Sequence, residues 1–179
     1  MSYKGLLDLN ILIADDEKDL LSQYELFLSE KGHSVTTCVD GEECVKTYKS
    51  QNEKIQKSQY SDEQTYDAVI LDYMMPKKNG IDVAKEILAI NPHQRIIFAS
   101  GHIQNTFFES IQHLKQITEI MQKPFALQAL VDTIEDTEIY SELEKLNVDV
   151  AAMKELNPSH SQIKAYFDVL CRLQKGRTF

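Results

Sequence analysis

Acidic side chains directly follow two short apolar runs in this sequence. Asp15 and Asp16 come after the run Ile11–Ala14, and Asp72 comes after the run Ala68–Leu71. Short apolar runs of this kind predict strands of a parallel sheet that is covered on both faces. The carboxyl ends of parallel strands meet at one edge of an open α/β sheet, which is where ligands bind. We therefore expect the three carboxylates to lie close together.

A hydroxyl group and an amine follow two later apolar runs, at Ser100 and Lys123. Carboxylates that are brought together repel one another unless a cation lies among them, and the hard ion Mg²⁺ prefers oxygen ligands. A lysine and a hydroxyl on the opposite side suit the oxygens of a phosphoryl group. The set therefore predicts a Mg²⁺ site beside Asp72, and it indicates that Asp72 is a nucleophile that accepts a phosphoryl group.

The elements that must position these residues alternate between strand and helix five times before residue 126. This alternation predicts an α/β fold with a parallel sheet and helices on both faces. Residues 50–65 are mostly polar, and they predict an extension of the second helix followed by a surface loop. The predicted strands are Ile11–Ala14, Ser34–Val39, Ala68–Asp72, Arg95–Ala99 and Ile117–Met121, and the third and fourth helices are predicted at Gly80–Ile90 and Asn105–Lys115.

The sequence after Phe125 lacks strand patterns and is predicted to be helical. Asn157 and Pro158 end its longest apolar stripe, and the Ser159–Gln162 segment is typical of a capping box that opens a last helix. We expect a domain at residues 1–138, with an insertion near 50–65, and a helical extension at 139–179. The stripe has the period of a helix that packs along another helix, and it consists of Ile139, Leu143, Leu146, Val150 and Met153.

The composition argues against several classes of protein. The 179 residues carry a net charge of −9, and the pI is near 5.0. A general nucleic-acid binder needs a basic face, so this charge disfavours one. The three cysteines show no metal-ligand spacing, and no apolar run reaches the length of a membrane span. We therefore expect a soluble cytoplasmic protein that does not bind a membrane.

Over roughly residues 8–125, the chain resembles the receiver domain of two-component response regulators. The pieces that match are common one by one, but together and in order at strand ends they form a specific pattern. The resemblance implies a flavodoxin-like, doubly wound, five-stranded parallel sheet of order 2-1-3-4-5, to which this chain adds a C-terminal helical extension. The matching pieces are Asp15-Asp16, Asp72 with Met74-Met75-Pro76, Gly80, Ser100-Gly101 and Lys123-Pro124-Phe125.

The resemblance also implies roles for the acidic residues. Asp72 would accept a phosphoryl group from a histidine kinase or a small phosphodonor. Asp16 and Asp72 would bind Mg²⁺ directly, together with the backbone carbonyl of Met74, and Asp15 would act through water. The chain would then catalyse only its own phosphorylation and dephosphorylation, and it would not be an enzyme that acts on other substrates.

On the phosphoryl side, Lys123 would bind one oxygen and Ser100 would move towards another, while Pro124 would follow a cis peptide bond. One position departs from the family pattern, because Ile120 stands where the family usually has an aromatic switch residue. His102 lies two residues after Ser100, and it is either a residue over the site that tunes phosphate hydrolysis or an exposed loop histidine.

The output of such a protein has three candidate forms. The first is a partner protein or a second copy bound through the fourth helix, the fifth strand, the fifth helix and the tail. The second is a Mg²⁺-dependent phosphatase with an aspartyl nucleophile, but Met74 stands where such enzymes commonly carry a second acid. The third is a regulator that binds DNA through its tail, although residues 126–179 hold nine acids against six bases.

Overall fold

A computed structural model describes residues 7–57, 65–101, 105–112, 114 and 119–175 of the chain. The described residues form one five-stranded sheet in which every pair of neighbouring strands is parallel and the order is β2-β1-β3-β4-β5, as predicted. The strands are β1 Asn10–Ala14, β2 Ser34–Cys38, β3 Ala68–Leu71, β4 Ile96–Ser100 and β5 Glu119–Gln122.

Helices connect the strands and continue beyond the sheet. α2 continues as far as Lys57, which confirms a helical extension into the polar insertion, and residues 58–64 lie outside the described part of the chain. α4 is described as far as Gln112, and its predicted end at Lys115 lies outside the described residues. The Leu114 N–H donates to the Ile111 carbonyl at 2.8 Å. The helices are α1 Lys18–Glu30, α2 Gly41–Lys57, α3 Gly80–Ile90, α4 Asn105–Gln112, α5 Leu127–Lys145, α6 Val150–Glu155 and α7 His160–Lys175.

The burial of each strand follows its place in the sheet. Strands β3 and β4 are buried at every residue, whereas β2 and β5, which form the two edges, are mostly half-buried. A central strand of a parallel sheet is covered on both faces and therefore needs a continuous apolar run. Full burial of each Ile, Leu or Phe side chain contributes about 1.5–3 kcal/mol. The same runs that end at the acidic residues therefore hold the sheet together.

The chain divides into two compact units, Met1–Leu127 and Gln128–Phe179. The sheet lies in the first unit, and the second unit contains most of α5 together with α6 and α7. Polar contacts connect α5 and α7 within the second unit. The His160 Nδ1 lies 2.6 Å from the Asp136 carboxylate, and the Lys164 ammonium lies 2.5 Å from the buried carboxylate of Glu135. No helix among the described residues is long and apolar enough to span a membrane.

The prediction of one continuous helical stripe from Ile139 to Met153 is wrong. α5 ends at Lys145, and Asn147 adopts a left-handed conformation with φ of 59°. The Val148 N–H then donates to the Leu143 carbonyl at 3.0 Å, as in a helix that is closed by a left-handed residue. Asparagine tolerates this conformation better than most residues, which explains the break at this position.

The last helix begins as predicted. The Ser159 N–H donates to the Gln162 side-chain oxygen at 2.9 Å, and the Ser159 hydroxyl lies 3.1 Å from the same oxygen. These bonds satisfy backbone and side-chain groups at the start of α7, where intrahelical partners are missing. The half of the capping box in which the Gln162 side chain accepts from the Ser159 N–H is therefore confirmed, whereas the Gln162 N–H donates to the Ser159 carbonyl and not to its hydroxyl.

Candidate functional site

The register of the sheet brings the ends of its strands to one level. Ala14 of β1 lies opposite Leu71 of β3, so Asp15 and Asp72 emerge side by side. The Asp72 N–H donates to the Ala14 carbonyl at 2.9 Å, and the Lys123 N–H donates to the Ser100 carbonyl at 3.0 Å. Backbone pairing therefore continues one step beyond the strands and fixes the residues that follow them.

The three carboxylates gather as the sequence predicted. Asp15, Asp16 and Asp72 each place a carboxylate oxygen within 4.8 Å of the others. Asp15 and Asp72 are buried, at 1% and 9% exposure, and Asp16 is exposed. Two buried acids and one exposed acid form an open set of hard oxygen donors. Such a donor set fits a divalent cation such as Mg²⁺, which keeps some of its own water.

Lys123 reaches into this acidic set from the end of β5. Its ammonium lies 2.5 Å from the Asp15 carboxylate and 3.4 Å from the Asp72 carboxylate, and only 13% of its side chain is exposed. Burial by itself lowers the pKa of this amine, but the hydrogen bond that the amine donates to Asp15 and the charge of Asp72 outweigh it and raise the pKa. The lysine is therefore held in its charged form beside Asp72.

The environment of Asp15 works against its negative charge. Burial raises the pKa of its carboxyl group, and this effect outweighs the hydrogen bonds from Lys123 and from the Glu17 backbone N–H. Tyr24 senses the same field, because burial and then the charges of Asp15 and Asp72 raise its pKa. Burial is the largest cause of both shifts, and the negative charge of Asp72 adds to each. A bound cation would relieve that charge.

The segment after Asp72 is held close to its strand. The Gly80 N–H donates to the Tyr73 carbonyl at 2.9 Å, and a Cβ atom on Gly80 would lie 2.2 Å from the Asp72 carbonyl oxygen. Asn79 caps α3 by accepting a hydrogen bond from the Asp82 N–H at 2.9 Å. A glycine is therefore required at the start of α3 by this close backbone approach.

Sequence analysis missed a second contact that holds this loop. The Lys77 ammonium lies 2.5 Å from the carboxylate of Asp40, which also caps α2 by accepting from the Glu43 N–H. A Cβ atom on Gly41 would lie 2.1 Å from the Lys78 carbonyl oxygen. The loop between β2 and α2 is thus packed against the loop after Asp72. Lys77 has a left-handed φ of 65°, and the sequence carries no signal that pairs it with Asp40.

The remaining predicted residues occupy several places around the cluster. Ser100 is buried at the end of β4, and Ile120 is half-buried against the core. The Met74 N–H donates to the Asp72 carboxylate at 3.4 Å, and the Met74 side chain is 57% exposed. The Lys123–Pro124 peptide bond is cis, as the resemblance implies. His102 lies outside the described residues.

The comparison with known families agrees with this geometry. Residues 11–135 match the model of the response regulator receiver domain. The chain belongs to this family. Receiver domains are components of two-component systems, in which histidine kinases phosphorylate them, and they bind Mg²⁺ through an acidic pocket. They are generally not classical enzymes.

Curated relatives of this receiver are longer proteins. The transcriptional regulatory protein RprY of Bacteroides fragilis is 30% identical over 129 residues, which is 71% of this chain and 48% of that protein. The response regulator RR06 of Streptococcus pneumoniae is 31% identical over 126 residues, which is 70% of this chain and 51% of that protein. The chain thus spans about half the length of these relatives.

Solved structures place the fold in the same class. A response regulator receiver domain from Clostridium thermocellum matches with a TM-score of 0.59 and 27% identity, covering 75% of this chain and 98% of that one. The structure of the CheX-CheY-BeF3-Mg complex from Borrelia burgdorferi matches with a TM-score of 0.60 and 24% identity, covering 72% of this chain and 88% of that one. The latter likeness shows the fold alone.

Proposed function

We propose that Asp72 accepts a phosphoryl group from a histidine kinase or a small phosphodonor, and that this reaction needs Mg²⁺. The proposal is carried by one observation: three carboxylates converge within 4.8 Å, and a buried ammonium lies beside two of them. In this arrangement Asp72 is the nucleophile, the Lys123 ammonium is a partner for a phosphoryl oxygen, and the carboxylates are ligands for the metal ion.

Each residue has a distinct task in the transfer. A carboxylate oxygen of Asp72 attacks phosphorus while the bond from phosphorus to the donor breaks, so that the electron pair of that bond leaves with the donor. Lys123 holds one phosphoryl oxygen by turning from Asp15, and the Ser100 hydroxyl donates to another oxygen. Positive charge and oriented donors stabilise the charge that spreads over the phosphoryl oxygens in the transition state.

Mg²⁺ would be held by Asp16 and Asp72, by the Met74 carbonyl, and through water by Asp15. Bound there, it would neutralise part of the phosphoryl charge. Asp16 is the exposed member of the acidic set, so it gives the ion a route from solvent. The buried carboxyl of Asp15, whose raised pKa reflects an unfavourable charge, would gain most from a nearby cation.

The local chemistry favours a phosphate that stays on the protein over turnover of an external substrate. A phosphatase of this type needs an acid that protonates the leaving group of its substrate. The side chain two residues after Asp72 is the exposed thioether of Met74, which has no proton to donate. We therefore infer a signalling role, with hydrolysis of the acyl phosphate as the step that resets it.

The output is inferred to pass through the helical tail, with residues 1–138 as the receiver and 139–179 as the extension. The elements that we expect to respond are α4, β5 and α5, and a partner protein or a second copy would bind to these elements or to the tail. The tail unit supports this role because α7 exposes three large apolar side chains on one face, Tyr166, Val169 and Leu173.

Titration with beryllofluoride tests the proposal, since this ion forms an acyl-phosphate mimic on a carboxylate. Calorimetry should detect binding that requires Mg²⁺ in the wild type and in the control variant Asp19→Ala, which changes an exposed acid on α1. Asp72→Ala should show no binding. Equal binding by Asp72→Ala and the wild type would contradict the proposal.

A further inference from the structure

Three aromatic rings form a continuous row beside the candidate site. The ring of Tyr73 meets the ring of Phe107 in an edge-on contact, with centroids 4.9 Å apart and planes at 65°. The ring of Phe107 meets that of Phe98 in a second edge-on contact, at 5.3 Å and 89°. Both are favourable arrangements for aromatic pairs. The row therefore connects the segment after β3 with α4 and β4 through direct side-chain contacts.

Phe107 is the anchor of α4 in this row. Its side chain is completely buried, whereas the other side chains of α4 that the structure describes, from Glu109 to Ile111, are exposed or half-buried. Phe107 is the most deeply buried of the side chains that the structure describes in this short helix, so the position of α4 depends strongly on what surrounds it. The position of α4 is therefore sensitive to the two rings that enclose Phe107.

Those two rings stand next to the residues that would receive the phosphoryl group. Tyr73 is bonded directly to Asp72, and Phe98 precedes Ser100 by two residues on the same strand. Phe107 thus contacts the residue that follows Asp72 and the middle of β4. Ile120 lies beside Phe98 in the sheet, so the neighbouring edge strand contributes an aliphatic side chain and no ring at this level.

We propose that the Tyr73 ring is a positioning residue that couples the state of Asp72 to the position of α4 through Phe107. The inference rests on the proposed function, because it names the route by which modification of Asp72 is read. A phosphoryl group on Asp72 would draw Ser100 and Lys123 towards it, and so would displace β4, which carries Phe98, and the segment after β3, which carries Tyr73. Close-packed rings cannot absorb such a displacement locally, and Phe107 carries it to α4.

The test separates this coupling from the chemistry of Asp72. Tyr73 is only half-buried, so Tyr73→Leu removes the ring with little loss of core packing, and Tyr73→Phe is the matched control that keeps it. Hydrogen exchange of the full chain is measured with and without beryllofluoride and Mg²⁺, and calorimetry measures the affinity for beryllofluoride. Peptides covering α4 report the coupling, and peptides covering α3 serve as the internal reference.

The expected result is that the wild type and Tyr73→Phe show a several-fold change in exchange across α4 when beryllofluoride binds. Tyr73→Leu should bind beryllofluoride within about twofold of the wild type and lose that change. A full α4 response in Tyr73→Leu would overturn the inference and leave the proposed function standing. Loss of beryllofluoride binding in Tyr73→Leu alone would also overturn it, because the ring would then serve the site itself. Failure of the wild type to bind would overturn both.

Discussion

The ammonium of Lys123 lies 2.5 Å from the carboxylate of Asp15 and 3.4 Å from that of Asp72, so one buried cation is shared by acids on neighbouring strands. In this position the lysine partly compensates the charge that a metal ion would otherwise neutralise. It also lies where an oxygen of a phosphoryl group on Asp72 would need a partner. The same contact therefore links metal affinity to phosphoryl binding.

Replacing Lys123 should raise the affinity for Mg²⁺ and lower the uptake of phosphoryl groups. Lys123→Met removes a positive charge that competes with the metal for the same carboxylates, so the affinity for Mg²⁺ should rise by about tenfold. Uptake of phosphoryl groups from acetyl phosphate should fall, because an oxygen loses its partner. Isothermal calorimetry measures the first effect, with Lys49→Met on α2 as the control. A weaker affinity for Mg²⁺ in Lys123→Met would contradict the shared-cation account.

Two glycines near the site should respond differently to the same substitution. Gly80→Ala forces a Cβ atom to within 2.2 Å of the Asp72 carbonyl oxygen, whereas the nearest atom to a Cβ on Gly101 is the Lys123 Cβ at 4.0 Å. The free energy of unfolding should fall by about 2 kcal/mol in Gly80→Ala and change by less than about 0.5 kcal/mol in Gly101→Ala. Urea denaturation measures both. Equal effects would show that the close approach at Gly80 is unimportant.

The contact between Asp40 and Lys77 should make stability depend on pH in acid. The hydrogen bond from Lys77, followed by that from the Glu43 N–H, lowers the pKa of the Asp40 carboxyl below its ordinary value of 3.8. A depressed pKa in the folded state adds stability above pH 3.8, and this stability is lost as the pH falls from that value through the folded pKa.

Asp40→Asn should therefore be less stable than the wild type at neutral pH, and the difference should shrink below about pH 4. Urea denaturation at a series of pH values measures this convergence, and Asp19→Asn serves as an exposed control that should follow the wild type. A difference in stability that stays constant through the acid range would refute the assigned role of Asp40.

The polar contact between α5 and α7 gives a prediction for the helical unit. The Glu135 side chain is 3% exposed and pairs with Lys164 at 2.5 Å, and Lys164 is itself 43% exposed. Lys164→Met should lower the free energy of unfolding by about 1 kcal/mol, since solvent screens part of the pair and a buried carboxylate loses a cationic partner. The double variant Lys164→Met with Glu135→Leu should recover most of that loss.

The exposed pair of Lys145 and Glu142 provides the matched control for this cycle. Lys145→Met should change the free energy of unfolding by less than about 0.5 kcal/mol, because neither partner is buried and solvent screens the pair. If the double variant were less stable than Lys164→Met alone, Glu135 would stabilise the unit by other contacts. The account of a buried acid held by the lysine would then be wrong.

The sequence was most informative where one physical constraint fixed the residue type. Central strands of a parallel sheet need continuous apolar runs, so β1, β3 and β4 were predictable to within a residue at each end. The carboxyl ends of those runs fixed the positions of Asp15 and Asp72. The convergence of the three carboxylates followed from topology, because parallel strands deliver their last residues to the same edge.

The features that sequence analysis missed depend on contacts between residues distant in the chain. Nothing in the apolar period distinguishes a continuous helix from the break at Asn147, because its left-handed conformation preserves the burial of the residues on either side. The pairing of Asp40 with Lys77 and the contact of Tyr73 with Phe107 likewise depend on how loops and helices pack. The order of residue types along the sequence does not show which distant residues form such pairs.

The central claim, that Asp72 carries the phosphoryl group, is tested most directly by chemical trapping. The full chain is incubated with acetyl phosphate and Mg²⁺ and then treated with sodium borohydride, which reduces an aspartyl phosphate to homoserine. Peptide mass spectrometry should find homoserine at position 72 in the wild type, and none when Mg²⁺ is omitted. Homoserine at position 15 or 16 and not at position 72 would contradict the account. An unmodified Asp72 after prolonged treatment with acetyl phosphate, Mg²⁺ and borohydride would contradict it as well.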